Sequence, residues 1–460
     1  MEQAVSAGKR VGKDLTQGPI MRTLLTFAIP IILTNLIQQL YSMVDVIVIG
    51  QFVGNIGTVG VNTGGEVADL VTPIATSLAS AGQIYIAQLT GSGDRKRANE
   101  TIGTLLSLMI GISVVLAAVT IGLSGQILSW LHCPEEAVGQ AQAYMIITAL
   151  GYPFIFGYNA VVGILRGMGE SKRPLIFVLV AAIVNVVLDI LLVAVIPMEA
   201  AGTAIATAAS QLGSFAAAAV FLWKECEQFD FKLEPASFRI NPKAAVVIIE
   251  LGSPQVARSI LVRSGMLWVN ANANSYGMIV SATNSVGNKL QKFLEVYIQG
   301  VDTASAAMVG QNLGAKKTER AGKVTMNTLL ATMVCAAGIS VLCLLFPHQI
   351  FGLFTRDEAV IQMGAVFLKI MIVHYFASAF VGSFQAMVTG CGFVSLGFAI
   401  GVLDGLVCKV GLSWLFVNVF HMGYLGLFWG VATSRILPEL LCAAYFFSGK
   451  WKTRKLLNER

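Results

Sequence analysis

Twelve apolar stretches, each long enough to cross a bilayer and parted by short polar connections, take up nearly the whole chain. They cover about 22–49, 60–87, 98–125, 137–165, 174–197, 201–223, 244–272, 279–310, 322–347, 359–389, 394–419 and 423–448. A spanning helix needs about 20 apolar residues. Backbone inside hydrocarbon must satisfy its own hydrogen bonds, so every stretch is read as a helix. Charged residues are 12% of the 460, against roughly a quarter in soluble domains, and the spans leave no length for a sizeable soluble domain. Glycines inside the apolar runs, such as Gly103, Gly111, Gly265 and Gly338, let such helices approach closely. The seven cysteines are scattered singly, without metal-ligand or disulfide spacing. The net charge of +6 is spread among loops, so nucleic acid is not an expected partner. No short apolar region with a cleavage site opens the chain, so no cleaved signal peptide is expected.

Lysine and arginine set the orientation. One set of connections holds Lys9, Arg10, Lys13 and Arg22; Arg95, Lys96 and Arg97; Arg166, Lys172 and Arg173; Lys224, Lys232, Arg239 and Lys243; Lys316, Lys317, Arg320 and Lys323; and the basic tail from Lys450. The opposite set holds Arg356 alone. The expectation is a multi-pass inner-membrane protein with both termini cytoplasmic, which requires an even number of spans. An offset of 223 residues aligns the two halves. Gln88-Leu89-Thr90-Gly91 falls on Gln311-Asn312-Leu313-Gly314, Arg97-Ala98 on Arg320-Ala321, and Gly167-Met168-Gly169 on Gly390-Cys391-Gly392. Six helices per repeat insert in the same direction, which makes the repeat parallel, about an axis along the membrane normal. The expected organisation is a cytoplasmic segment 1–21, a six-helix lobe 22–224, a charged linker 225–243, a second lobe 244–448 and a cytoplasmic tail 449–460.

The motifs resemble the multidrug and toxic compound extrusion (MATE) family, bacterial type, over essentially the whole chain. They are Tyr41-Ser42-Met43-Val44-Asp45; Gln88 with Gly91 and its second copy Val309-Gly310-Gln311-Asn312-Leu313-Gly314-Ala315; Leu165-Arg166-Gly167-Met168-Gly169 with Pro174; Asn185-Val186-Val187-Leu188-Asp189; and Gly202-Thr203-Ala204-Ile205-Ala206-Thr207. The resemblance implies an all-α membrane protein, a V-shaped pair of six-helix lobes around a central cavity, working as a cation- or proton-coupled efflux pump.

An ionisable residue in a span is a functional hypothesis by default. Asn35, Gln38, Ser42 and Asp45 fall at i, i+3, i+7 and i+10, a polar stripe on the first helix. Asn185 and Asp189 are i, i+4 neighbours in an otherwise apolar helix, and Thr207 lies in the next. Two carboxylates, an amide and a hydroxyl supply hard oxygen ligands for a small cation, and a desolvated carboxyl pair also holds a proton. The resemblance implies that these positions form the coupling-ion site of the first lobe. The plainer alternative is that Asp45 sits at the outer interface and Asp189 makes a structural hydrogen bond. At the 223 offset Asp45 maps to Trp268, Asn185 to Cys408 and Asp189 to Leu412, an asymmetry that favours function over folding.

The same offset maps Glu66 to Lys289 and Asp69 to Lys292, candidates for an interlobe ion-pair gate; alternatively Lys292 bonds Glu295 in its own helix. In the second lobe Arg263, Asp302, His374 and Asp404 are candidates beside Arg258, Lys369 and Lys409, and Arg435 is expected to pair with Glu439 four residues on. Some relatives place an acid in the seventh helix, where this chain has Arg258 and Arg263. Pro30 and Pro254 are hinge candidates in the first and seventh helices. Tyr144, Tyr152, Phe154, Phe156 and Tyr158, with Met266 and Trp268, are candidates for lining a drug cavity. No phosphate-cradling loop, metal cluster or nucleophile elbow is present in the sequence, so an enzyme is not expected. The expected activity is antiport of an amphipathic, cationic organic compound against H⁺ or Na⁺. The alternative is a flippase for a lipid-linked saccharide or another anionic amphiphile; an intramembrane enzyme or receptor ranks below both. The expected partners are that substrate and membrane lipid; the chain is expected to be a monomer with no cofactor and no metal beyond a transient Na⁺.

Overall fold

The structure is a computed structural model that describes residues 12–225 and 235–459. Parts of the expected N-terminal segment, linker and tail, with Lys9, Arg10, Lys232 and Arg460, lie outside the described residues. Among the described residues there is no strand.

The helices of the first half are α1 (Ile20–Phe52), α2 (Gly54–Ser92), α3 (Arg95–Gly122), the short α4 (Ser124–Trp130), α5 (Glu135–Leu150), α6 (Tyr152–Gly167), α7 (Lys172–Asp189) and α8 (Glu199–Lys224). The second half has α9 (Pro242–Ser275), α10 (Met278–Gly314), α11 (Thr318–Leu345), the short α12 (Pro347–Gly352), α13 (Glu358–Gly390), α14 (Val394–Val402), α15 (Lys409–Asn418), α16 (Tyr424–Thr433) and α17 (Ile436–Phe447). Shifted by 223, α3 superposes in sequence on α11, the α5–α6 pair on α13, and α8 on the α16–α17 pair. The repeat read from short motifs is therefore a repeat of whole elements.

Ten described segments are long and apolar enough to cross a membrane, and α5 with α6 makes an eleventh, bent by 42°. The twelfth is α10, at 37 residues, whose apolar run carries Lys289, Lys292, Glu295 and Asp302. The chain is a multi-pass membrane protein of twelve spans in two six-helix halves. Its spans present apolar side chains outward, as a lipid solvent requires: on α7, Ile176, Leu179, Val180, Ile183 and Val187 are exposed while Phe177, Val178, Ala181, Ala182, Asn185 and Asp189 are buried.

The breaks have local causes. Pro438 lies four residues after Ser434, where its ring and missing N–H oppose the helical bond, and the helix is interrupted there, between α16 and α17. A π-helical turn, Ile190–Val195, continues α7 immediately after Asp189, and another, Leu403–Cys408, joins α14 to α15 and contains Asp404. Within the second, the Gly405 carbonyl meets Gly265 of α9 so closely that a Cβ at Gly265 has no room. π turns are rare and concentrate at functional sites.

Packing divides the chain into two compact units. One takes in Leu33–Gly252 with 12–14, the other Leu15–Ile32 with 253–459. These differ from the lobes expected from sequence at two half-helices. The first half of α1 packs with the second unit because Leu24, Phe27, Ala28 and Ile31 join Val301, Ala304, Ala307 and Met308 in one apolar cluster, and the Ile32 backbone rests on Gly300. The opening of α9 packs with the first unit, where Gly252 lies against Leu78. Both changes fall beside a hinge candidate, Pro30 or Pro254, and α1 and α9 run through these prolines as helices.

Candidate functional site

In the first unit, α1 and α7 bring Asp45 and Asp189 together. Their carboxyl groups face each other within hydrogen-bonding reach. Neither has a donor where it is buried: Asp45 Oδ1 and both oxygens of Asp189 are enclosed and unpartnered. Two carboxylates have only acceptors to offer, so their contact closes only around a proton or a cation. Asn185, one turn before Asp189, is 1% exposed, and neither end of its amide has a partner. The lipid-facing positions of α7 are on the opposite side, so these groups look into the bundle.

The walls come from α2, α5 and α8. Tyr144 of α5 feels the charges of Asp45, Asp69 and Asp189. Tyr41, one turn before Asp45, lies beside Gln211 of α8. Thr207 is half-buried and its carbonyl accepts from Ser210. The unpartnered buried hydroxyl on this helix is instead that of Thr203, one turn earlier. Among the stripe residues, Asn35 and Gln38 are half-buried and Ser42 is exposed. Tyr144 was not expected in the ion site; its helix carries no charged residue at that depth to mark it.

The second unit holds a different arrangement, centred on Glu295 of α10. Glu295 Oε1 lies 2.6 Å from His374 Nε2, accepts from Gln291 Nε2 at 3.1 Å and pairs with Arg435 at 3.5 Å. His374 is fully buried, and its Nδ1 reaches the Val431 carbonyl at 3.2 Å, a contact that assigns a hydrogen to Nδ1. Gln291 Nε2 lies 2.7 Å from His374 Nε2. Arg435 donates to Ser378 at 2.6 Å and approaches Asp404 at 3.9 Å. Asp404 feels Lys409, Arg435 and Arg258, and Asp302 feels Arg258 and Arg435.

Two expectations are corrected here. Arg435 does not pair with Glu439, whose Oε1 is buried without a partner; Arg435 stands at the break before α17 and turns to Glu295 and Asp404. Lys292 is exposed and is not the partner of Glu295. His374, Asp302 and Asp404 are thus brought into one network, whereas Arg263 is half-buried with interactions of its own. Of the gate candidates, Glu66 and Asp69 are exposed on α2 and engaged in interactions, and Lys289 and Lys292 are exposed on α10.

The MatE family model matches twice, over residues 30–191 and 254–415. A probable multidrug resistance protein of Bacillus subtilis, YpnP, is 27% identical over 452 residues, covering 97% of this chain and 99% of its own length. The multidrug export protein MepA of Staphylococcus aureus is 22% identical over 443 residues, 93% of this chain and 92% of its own. Among solved structures, an outward-facing multidrug resistance MATE family transporter of the MOP superfamily aligns with TM-score 0.91 at 20% identity, over 97% of this chain and 99% of that one. A MOP superfamily transporter from Pyrococcus furiosus, described as having a binding pocket of reverse polarity, aligns with TM-score 0.89 at 20% identity, over 97% and 99%. The double match falls on the two halves of the internal repeat and spans most of the chain, so this protein belongs to the MatE family of multidrug efflux transporters.

Proposed function

We propose that the protein is a secondary active antiporter that exports amphipathic, cationic organic compounds in exchange for H⁺ or Na⁺ taken up at Asp45 and Asp189. The observation that carries this reading is the facing pair of carboxyls whose enclosed oxygens lack donors. Burying such acceptors without partners costs about 1–3 kcal/mol each, more when charged, so the site is built for something that arrives and leaves. The facing of the two carboxyls favours the proton; Asn185 and Thr207 would add oxygens that suit Na⁺. Asp45 belongs to the part of α1 that packs in the first unit, and the same helix packs in the second unit up to Ile32. A change of charge at Asp45 therefore acts on a helix shared by both units, with Pro30 just before the boundary at Ile32.

The test is uptake of a fluorescent organic cation by proteoliposomes, driven separately by a pH gradient and a Na⁺ gradient. One gradient drives uptake in the wild type, and Asp45→Asn and Asp189→Asn each abolish it while substrate still binds. Gradient-driven transport that survives both substitutions would overturn the reading.

A second reading, flipping of an anionic amphiphile, draws support from the exposed lysines Lys289, Lys292 and Lys369 within spans of the second unit. Against it, Arg435 and His374 of that unit are already matched by Glu295 and Asp404. Transport of an anionic lipid analogue but not of an organic cation would favour it.

A further inference from the structure

At the start of α11 lies a cavity of about 450 Å³ lined by Lys316, Lys317, Glu319, Arg320 and Lys323, with Ile20 of α1 at its side. Four cations against one acid is an unusual wall for a 450 Å³ space, and two of the cations are held in position. Lys317 Nζ donates to the Thr16 carbonyl and hydroxyl, each at 3.0 Å, and Arg320 donates to the Gln17 and Gly18 carbonyls, each at 2.8 Å. Neutral carbonyls orient these groups and leave their charge unmatched. Among the described residues none of the four pairs with a carboxylate.

The internal repeat supplies a control. The equivalents of Lys316, Lys317, Arg320 and Lys323 in the first half are Gly93, Asp94, Arg97 and Glu100. Asp94 caps α3 by accepting from the Arg97 N–H at 3.0 Å, whereas Lys317, at the same cap position of α11, makes no side-chain cap. The face that follows differs as well. In the first half it is polar and covered by the chain itself: Asn241 bonds Glu100 and Thr104, the Ser107 hydroxyl donates to the Phe238 carbonyl, and the Ser237 backbone lies on Gly103. The equivalents in the second half are Lys323, Asn327, Leu330 and Met326. Lys323, Met326, Leu330 and then Val334 form an exposed stripe running from the cationic cavity into the apolar length of α11. A cationic pocket in a connection of the lysine-rich, cytoplasmic set, opening onto an apolar track, matches a phosphate head joined to an acyl chain.

We propose that this cavity binds the phosphate of an anionic phospholipid, with the head on Lys316, Lys317, Arg320 and Lys323 and an acyl chain along Met326, Leu330 and Val334. The bound head supplies the negative charge that Asp94 supplies to α3. It also rests on the two side chains that fasten Thr16 to Gly18, just before α1, so lipid occupancy bears on the anchoring of the first helix.

The test is a lipid titration of the full-length protein in detergent, read by native mass spectrometry, with phosphatidylglycerol and phosphatidylcholine of equal chain length. The variant is Lys316→Gly with Lys323→Gln. Lys316 sits at φ 59°, where its repeat counterpart is a glycine, so the first change relieves backbone strain, and both leave the bonds of Lys317 and Arg320 in place. Each cation facing an anionic head is worth roughly fivefold in affinity. The wild type is expected to prefer phosphatidylglycerol at least tenfold, and the double variant to lose at least tenfold in that affinity with phosphatidylcholine binding unchanged. Leu330→Gln weakens phosphatidylglycerol binding as well, and millimolar inorganic phosphate does not displace the lipid. Equal retention of the two lipids by the wild type, or undiminished phosphatidylglycerol binding by the double variant, overturns the proposal. Displacement by inorganic phosphate together with indifference to Leu330→Gln assigns the cavity to a soluble phosphate instead.

Discussion

Replacing Arg435 by methionine tests how the second unit tolerates buried charge. The Arg435 side chain is 19% exposed, and its guanidinium stands between two acids, 3.5 Å from Glu295 and 3.9 Å from Asp404, whose side chains are 12% and 4% exposed. It also donates to Ser378 at 2.6 Å. Removing one member of a buried ion pair leaves an uncompensated charge and costs about 3–5 kcal/mol. Glu295 retains His374 and Gln291, and Asp404 retains the field of Lys409 and Arg258, so the lower end, about 3 kcal/mol, is expected. Neutralising the acid that loses its closest cation should recover most of the loss, because uncharged isosteres in place of a buried ion pair are close to neutral. The double variant Arg435→Met, Glu295→Gln, which leaves Asp404 to Lys409 and Arg258, is therefore expected within about 1 kcal/mol of the wild type. The assay is unfolding in mild detergent with increasing dodecyl sulfate, followed by circular dichroism. A single variant as stable as the wild type, or a double variant less stable than the single, refutes the reasoning.

Three further outcomes follow from the packing. Gly300→Leu places a side chain against the Ile32 backbone, where the glycine leaves no room, and is expected to destabilise by several kcal/mol and raise protease sensitivity before α1; overpacking costs about 1–3 kcal/mol where side chains alone must yield. Asn185→Leu keeps the volume and removes both unpartnered amide ends, so the folded protein should be at least as stable in the same unfolding assay while gradient-driven uptake falls at least tenfold; unchanged uptake would remove the amide from the site. Pro438→Ala relaxes the break before α17 and lets Arg435 turn toward Glu439, so the Arg435–Glu295 coupling in a double-mutant cycle should shrink; an unchanged coupling would show that the proline does not set the aim of Arg435.

The spans were legible because a bilayer sets one length for all of them, and the run 279–310 was long enough to mark α10 even though Lys289, Lys292, Glu295 and Asp302 lower its hydropathy. The interruptions were not. Hydropathy is blind to the bend between α5 and α6 and to the π turn at Leu403–Cys408, which depends on how closely Gly405 meets Gly265. Nor does it tell which bundle half a helix joins: the run from Ile20 is uniformly apolar, and its packing is decided by Gly300 and the apolar cluster around Val301 and Met308. At the ion site, Asn185 and Asp189 were legible as polar positions on one face of an apolar helix. That Asp45 meets them required the tertiary arrangement or the family resemblance. The charged network was misread because the i, i+4 rule assumes an unbroken helix, and Arg435 stands at a cap. Glu295 drew little attention because its partners, His374 and Arg435, are each at least 79 positions away.

Proton release on substrate binding tests most directly whether Asp45 and Asp189 hold the exchanged ion. The purified protein in weakly buffered, Na⁺-free detergent is mixed with tetraphenylphosphonium, and the medium is followed with a pH-sensitive dye. If the two carboxyls keep a proton between them, wild-type protein releases protons as the cation binds, and Asp45→Asn and Asp189→Asn release none while still binding it. Release of the same size from both variants, or from neither variant nor wild type with Na⁺ displaced no better, would contradict the assignment of the coupling ion to this pair.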